Sequence, residues 1–486
     1  MSTNVKKKTD FYWLHIFIML AFMLGFGFLP PLEPITPIGM KVLGVFIGML
    51  YGWTTIGMAM PCLLGIILAG FFGIMANCKA VFIAAFGNDS FIFIVFVLIF
   101  VGMLDELKVV DYIANWLMTR RFLSGKPWVF SYMLLLGALI MGMVAQPFPA
   151  IFFFWNVTYK VCDVYGYKQK EPWPAFMILG VCIGAIFSMV TCPWRAFVVV
   201  LMGTFSTLSN GATVDMFSHF IYLMPISLLL LAVYLCVGKF VFRIDVEKIK
   251  NIDVDRIIAD TPVATKEQKV GLIALSLFLV AVFIPAFLPA EWKLTMILNN
   301  LGTTGICILT VAILLIVRIN GKTVLDFQSA ASKGMSWEIF AMAFCLITFV
   351  GFLTNGATGI SAFLNMYLGN ALSGIHGYAL MFVLVALAAI LTNIANNGVV
   401  GIIIMTLGFM LAPTGGIENT TLMSMMVMYG ATLGFLTPAA TPYSAVAFGN
   451  KEWIEAKQIY KYGGVAFIIF IIIYGTLGYL WGNIIF

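Results

Sequence analysis

The chain is a succession of long apolar stretches parted by short polar ones. The apolar stretches cover 11–30, 39–53, 57–75, 90–104, 128–160, 172–203, 217–238, 268–288, 296–317, 336–353, 377–412, 418–448 and 462–485. A helix needs about 20 apolar residues to cross a bilayer, so most of these predict single transmembrane helices. Four do not read as plain spans. The stretches 128–160 and 377–412 each carry a polar or Pro-rich interruption near the middle, which predicts a re-entrant helical hairpin. The stretches 172–203 and 418–448 each carry a proline-centred interruption toward the C-terminal side, which predicts a discontinuous helix. Irregular backbone at membrane depth is tolerated only where protein buries it or where it lines a cavity.

Composition agrees with this pattern. Of the 486 residues, 62% are hydrophobic and 10% charged, with net charge +6 and mean hydropathy +1.04. Soluble domains average about 45–50% apolar and about 25% charged. An ordinary soluble protein, a disordered chain and a nucleic-acid binder with its solvated basic face are thereby excluded. The eight cysteines are scattered through apolar runs without a CxxC pair or metal-ligand spacing, and read as small packing residues. His15, His219 and His376 are too dispersed for a metal site. After Lys6, Lys7 and Lys8 the first apolar stretch is expected to be a retained membrane helix, since no small-residue cleavage site follows it.

A polar stretch from Lys239 to Lys269 divides the chain near its middle, and the two halves read as repeats. A shift of 249 residues places Val101-Gly102-Met103-Leu104 on Val350-Gly351-Phe352-Leu353, Asp89 on Glu338 and Phe91 on Phe340. The same shift places Val144–Ala150 on Asn393–Val399, and Thr191–Ala196 on Ala440–Ala445. The expected organisation is an N-terminal helix (1–38), a first repeat (39–238), a cytoplasmic linker (239–267) and a second repeat (268–486).

Cytoplasmic loops concentrate Lys and Arg. With the N-terminus inside and both hairpins re-entrant, Lys41, Lys79 and Lys293 fall outside, Arg195 lies within the membrane, and the remaining 23 of 27 basic residues fall inside. Segment 105–126 carries Lys108, Arg120, Arg121 and Lys126, whereas its counterpart 354–375 carries none. The repeats are therefore expected to be inverted, in an all-α polytopic membrane protein with about 11 transmembrane helices and two re-entrant hairpins. The N-terminus is expected in the cytoplasm and the C-terminus outside, with the plasma (inner) membrane as the address. Segments 105–121 and 354–372 read as amphipathic interfacial arms, or as ordinary polar loops.

Inverted repeats place a substrate site near the midplane, where broken helices from both halves meet. Half-helix N-termini there suit anions and C-terminal carbonyls suit cations. The second hairpin tip reads Thr392-Asn393-Ile394-Ala395-Asn396-Asn397-Gly398. Amide oxygens, a hydroxyl and freed carbonyls are hard ligands for a small alkali cation; the other reading is a polar helix-packing cluster capped by glycine. The second broken helix carries Leu436-Thr437-Pro438-Ala439-Ala440-Thr441-Pro442-Tyr443-Ser444. Its prolines free carbonyls for a ligand, or kink the helix and do no more.

The pair T-x-x-A-N-N-G and A-T-P-Y-S-A resembles the divalent anion:sodium symporter (DASS) family of the ion-transporter superfamily. That family carries S-N-T at each hairpin tip and G/A-T-P-P-N at each broken helix. Here the second pair is occupied by Asn396-Asn397-Gly398 and Ala440-Thr441-Pro442-Tyr443-Ser444. The resemblance, across nearly the whole chain, implies an elevator in which a transport domain slides against a dimerising scaffold. It implies that Thr392, Ala395, Asn397 and Ala440 bind one Na⁺, and that Asn396, Asn397, Gly398, Thr441 and Pro442 contact a substrate carboxylate.

The first half departs from that pattern. Its tip reads Pro147-Phe148-Pro149 after Gln146, and its broken helix reads Cys192-Pro193-Trp194-Arg195. Proline has no N–H and phenylalanine no oxygen, so a sodium site of the family type is not expected there; Gln146 joins the candidate substrate contacts. An isolated intramembrane arginine costs at least about 2.5–3.5 kcal/mol on insertion scales. Arg195 therefore reads as a fixed cation in place of Na⁺, as a fork to a substrate carboxylate, or as a structural residue paired with an acid or hairpin carbonyls. Asp89 and Glu338 read as helix-start carboxylates or as proton relays.

The functional expectation is a secondary-active transporter of a small organic anion, Na⁺-coupled. A carboxylate is expected, a dicarboxylate first, although the bulkier first half suits a substrate with one charged end. Alternatives are a Na⁺-independent or proton-coupled anion transporter or exchanger, and a cation/proton antiporter of the same superfamily. The antiporter needs a titratable carboxylate at the core, which the tips and breaks lack. No enzyme constellation such as HExxH is present. No cofactor is expected beyond Na⁺ as the coupling ion. The expected partners are the small anion, the lipid bilayer and a second copy of the chain.

Overall fold

The computed structural model describes residues 11–109, 112–113, 116, 124–144, 146–252, 263–289, 291–319, 321–335, 337–360, 362–363, 366–367, 374–438 and 440–486. About half of the two expected interfacial arms (105–121 and 354–372), and residues 253–262 of the linker, lie outside the described residues. The described chain is helical, apart from one antiparallel pair of two-residue strands, β1 (Arg318–Ile319) and β2 (Lys322–Thr323). Seven helices among the described residues are long and apolar enough to cross a membrane, or eight if the bent pair Cys78–Phe86 and Phe91–Glu106 is one span.

The chain forms two compact units. The first is Met1–Phe91 with Trp337–Leu372. Its helices are α1 (Tyr12–Gly25), α2 (Pro37–Thr55), α3 (Ala59–Phe71) and α4 (Cys78–Phe86); α5 (Asp89–Glu106) begins here. Gly44, Gly48 and Gly52 lie four apart on one face of α2, where small residues let helix backbones approach. A Cβ on Gly44 would sit 2.8 Å from Phe22 O, and one on Gly48 2.8 Å from Met19 O. Helix α3 is shorter than its apolar stretch (57–75), because Gly57 (φ +141°) and Gly73 (φ +69°) interrupt the chain on either side of it.

The second unit is Ile92–Ser336 with Ser373–Phe486. It contains α6 (Pro127–Val144), α7 (Pro147–Tyr165), α8 (Pro172–Thr191), α9 (Ala196–Leu208), α10 (Met216–Cys236), α11 (Lys266–Phe283), α12 (Lys293–Ile316) and α13 (Phe327–Gly334). After α14 (Trp337–Thr354) of the first unit come α15 (Tyr378–Leu391), α16 (Asn397–Gly415), α17 (Thr420–Gly430), α18 (Pro442–Gly449), α19 (Ala456–Ile473) and α20 (Tyr479–Ile485). Helix pairs α6–α7 and α15–α16 fill the two stretches where hairpins are expected; the second pair is clasped at its open end by Gly377 N donating to Gly415 O at 2.8 Å. Helix pairs α8–α9 and α17–α18 are the two broken helices. The second break is the longer, spanning 431–441 against 192–195.

A shift of 249 residues carries the starts of α4, α5, α6, α7 and α8 to within two residues of the starts of α13, α14, α15, α16 and α17. Phe91 and Phe340, matched by that shift, touch each other with ring centroids 5.0 Å apart. Asp89 is the first residue of α5, and Glu338 stands in the first turn of α14, where a carboxylate meets the positive end of the helix.

The hairpin core depends on backbone contact. Gly184 of α8 faces α6 so closely that a Cβ there would fall 2.6 Å from Leu135 O. Gly184→Ala is expected to lower stability by about 2 kcal/mol through overpacking against backbone that cannot move aside; the unfolding midpoint in detergent measures it.

Candidate functional site

Both hairpins and both broken helices belong to the second unit, so the site is built within it. The tip of the second hairpin is laced to the second break by Asn393. Its Nδ2 donates to Ala389 O (2.8 Å) and Leu433 O (2.9 Å), and its Oδ1 accepts from Leu436 N (2.8 Å). Thr437 Oγ1 donates to Asn393 O. This buried amide holds two irregular segments together by satisfying their backbone groups, which is what lets such backbone exist inside an apolar unit.

The two helices that start here are capped by predicted site residues. Asn396 caps α16, its Oδ1 accepting from Gly398 N (2.9 Å) and Val399 N (3.4 Å). Thr441 caps α18 in a reciprocal box with Ser444: Thr441 Oγ1 accepts from Ser444 N (2.9 Å), and Thr441 N donates to Ser444 Oγ (3.0 Å). Pro442 is the first helical residue, where its missing N–H costs nothing.

Between these starts lies Gly434. A Cβ on it would stand 3.1 Å from Asn397 Oδ1 and 3.2 Å from both Thr392 O and Thr392 Oγ1. Its carbonyl accepts from Thr441 Oγ1 at 3.2 Å. The missing side chain thus leaves a niche lined by three oxygens, next to the caps of both helices. Thr392 Oγ1 lies 2.7 Å from Ala431 O and 2.9 Å from Asn397 Oδ1. The single hydroxyl proton serves one of these at a time. Donation to Ala431 O, the shorter contact, leaves two lone-pair-bearing oxygens facing each other, an arrangement a cation relieves. Neutral oxygens of this kind suit a hard cation, so Thr392 and Asn397 fit Na⁺. Ala395 and Ala440 are held in main-chain turns, donating to Leu391 O (2.9 Å) and Thr437 O (3.2 Å), and share no hydrogen bond with the niche among the described residues. At the other end of Asn397, the buried Nδ2 has no hydrogen-bond partner among the described residues.

In the first half, Gln146 stands at the cap position of α7 with no side-chain cap bond, followed by Pro147. The ring of Phe148 packs on that of Tyr443 at 4.7 Å, so the first hairpin tip meets the second broken helix. Arg195 is buried at the cap position of α9, and its Nη2 donates to Gly142 O near the end of α6. Cys192 Sγ donates to Met143 O at 3.5 Å. Of the partners weighed for Arg195, the structure supplies a hairpin carbonyl; no carboxylate forms an ion pair with it among the described residues.

Several polar residues of this unit were not singled out by the sequence. Thr191 Oγ1 meets Ser227 Oγ at 2.6 Å, and Ser227 Oγ meets Tyr429 OH at 3.1 Å, a buried chain joining both broken helices through α10. His219 is wholly buried and bonds Val190 O through Nε2 (2.7 Å), covering a carbonyl at the end of α8. A membrane-edge position follows from its place in the first turn of α10, but its burial does not. Gly434 itself carries no sequence signal, because one glycine among 45 is not distinctive.

Polar residues gathered at interrupted helices inside an apolar helical unit define a multi-pass membrane transport protein, with its site built of broken helices. The sequence matches the sodium:sulfate symporter transmembrane region over residues 10–486. The chain therefore belongs to that family, the divalent anion:sodium symporters, and is a secondary transporter of anions. No curated protein matches it. Among solved structures, Neisseria gonorrhoeae MtrF, described as illuminating a class of antimetabolite efflux pumps, is similar over 96% of this chain and 94% of its own, with TM-score 0.52 and 12% identity. At that identity the likeness is one of fold.

Proposed function

We propose that the protein couples Na⁺ to the movement of a small organic anion bearing a carboxylate, by elevator-type alternating access between inverted repeats. A dicarboxylate is the first candidate, and Phe148 against Tyr443 offers an apolar wall for the rest of the substrate. The observation that carries the proposal is the side chain of Asn397. Its Oδ1 lines the niche beside Gly434, and its Nδ2 is buried without a partner among the described residues. A cation at the niche attracts Oδ1 and so fixes Nδ2 as a donor for an anion. The two ligands then favour one side-chain orientation, and each raises the affinity for the other. Around the anion stand the starts of α16 and α18, with Asn396, Gly398, Thr441 and Pro442, and Gln146 from the first hairpin. Thr392, Asn397, Ala395 and Ala440 make up the cation side. The recurrence of helix starts at a 249-residue shift and the contact between Phe91 and Phe340 support a two-fold relation between the repeats. The contrast in basic residues supports the inverted sense, with the N-terminus in the cytoplasm; membership of the family is the support for a plasma-membrane homodimer.

The test is thermal unfolding of the detergent-solubilised protein with mono-, di- and tricarboxylates, sulfate and phosphate, each in Na⁺ and in choline. A ligand that binds only the folded state at a hundred times its Kd adds about 2.7 kcal/mol. One carboxylate is expected to raise the midpoint, and more so in Na⁺. Equal stabilisation in choline rejects sodium coupling, and no stabilisation by any anion rejects the carboxylate reading.

A further inference from the structure

The first hairpin has the architecture of the second without its oxygen chemistry. At its tip stand one amide, two prolines and a phenylalanine. Yet α6 ends there as α15 ends at Leu391, just before Thr392, and the carbonyls of a helix's last turn carry the negative end of its dipole. In the second half this end adjoins the oxygen-lined niche beside Gly434. In the first half, Arg195 Nη2 donates to Gly142 O and Cys192 Sγ to Met143 O, so one last-turn carbonyl already faces a cation that is part of the chain and the next is covered by a thiol.

That cation is not neutralised. Arg195 is 7% exposed, and its Nε has no acceptor among the described residues. No carboxylate pairs with it among the described residues. One carbonyl and a helix end offset only part of a buried full charge. The guanidinium is an electrostatic neighbour of Tyr443, two residues past Thr441, whose ring also packs on Phe148. Arg195 thus stands at the end of α6, beside the first hairpin tip, with Tyr443 of the second broken helix within electrostatic reach.

We infer that Arg195 is a tethered cation: one nitrogen is anchored on the first hairpin at Gly142 O, and the rest of the guanidinium serves as the fixed counter-charge of the transported anion's carboxylate. The inference rests on the anion-transport reading and adds to it. The first half needs no ion from solution, so a single Na⁺, at the second-half niche, accompanies the anion. A guanidinium fork matches a carboxylate better than a spherical ion does.

The experiment compares wild type, Arg195→Gln and Arg195→Lys by thermal unfolding, with acetate, succinate, citrate and inorganic sulfate as probes, in Na⁺ and in choline. Na⁺ alone is expected to raise the midpoint of all three proteins equally. The apparent affinity for the stabilising anion is expected to fall at least tenfold in Arg195→Gln and to recover in part in Arg195→Lys. Both replacements can donate to Gly142 O, so equal anion affinity in the two variants marks a structural hydrogen bond only and overturns the inference, as does wild-type affinity in Arg195→Gln. Wild type alone supplies a second check, independent of how the variants fold. The Na⁺ dependence of its anion-induced shift is expected to have a Hill coefficient near one, and a value near two reveals another free-cation site and overturns the inference. Absence of any anion shift in wild type instead rejects the transport reading, and this inference with it.

Discussion

Replacing Gly434 by alanine is expected to weaken Na⁺ binding at least a hundredfold, about 2.7 kcal/mol, while the protein stays folded. The methyl group would sit 3.1 Å from Asn397 Oδ1 and 3.2 Å from both oxygens of Thr392, filling the space a cation needs to reach all three. These distances are tight for a methyl, yet the neighbouring hydroxyl and amide can yield by a few tenths of an ångström, so the fold persists. The measurement is the midpoint of thermal unfolding as a function of Na⁺ concentration. In choline the variant should unfold within a few degrees of wild type; in Na⁺ only wild type should gain. An unchanged Na⁺ titration places the cation elsewhere and removes Thr392 and Asn397 as a joint site.

The interruptions were legible because physical chemistry permits so few of them. A run of three asparagines and a threonine within an apolar stretch must be satisfied, and prolines at 438 and 442 must break a helix. Hence helices end and restart inside the four interrupted stretches, and the 249-residue shift reappears in helix starts. The division of labour among those asparagines was not legible. Asn393 spends its whole amide on Ala389, Leu433 and Leu436, and Asn396 spends its oxygen on a helix cap. Among the described residues Asn397 is the one of the three whose amide nitrogen is buried with no hydrogen-bond partner, and composition cannot tell three identical residues apart. Arg195 shows the same limit from the other side. Its intramembrane position demanded a partner, but which partner depends on how closely α6 and α9 approach, and that is set by the fold. The pairing of Ser227 with Thr191 and Tyr429 is legible only once α10 lies between the two broken helices.

The sharpest separation of cation from anion is expected from Asn397→Asp. A carboxylate is isosteric with the amide, so the oxygen that faces Thr392 and Gly434 is retained and gains charge. Na⁺ binding should therefore survive, and tighten. At the other end, the unpartnered Nδ2 becomes an oxygen. The donor for the substrate carboxylate is lost and replaced by a like charge in a buried setting, where removing one partner of a charged hydrogen bond costs about 2–5 kcal/mol. Anion affinity should fall more than a hundredfold, and transport should stop although the ion still binds. Unfolding midpoints measured with Na⁺ alone, and with Na⁺ plus the stabilising carboxylate, resolve the two effects. Loss of both shifts together means that Asn397 holds the hairpin tip and no more. Retention of the anion shift means that the carboxylate is bound by the helix starts at Gly398 and Pro442 without Asn397, and that coupling runs through backbone rather than through one amide. The expected result, ion bound and anion refused, would make the orientation of a single side chain the link by which sodium commits the carrier to its anion.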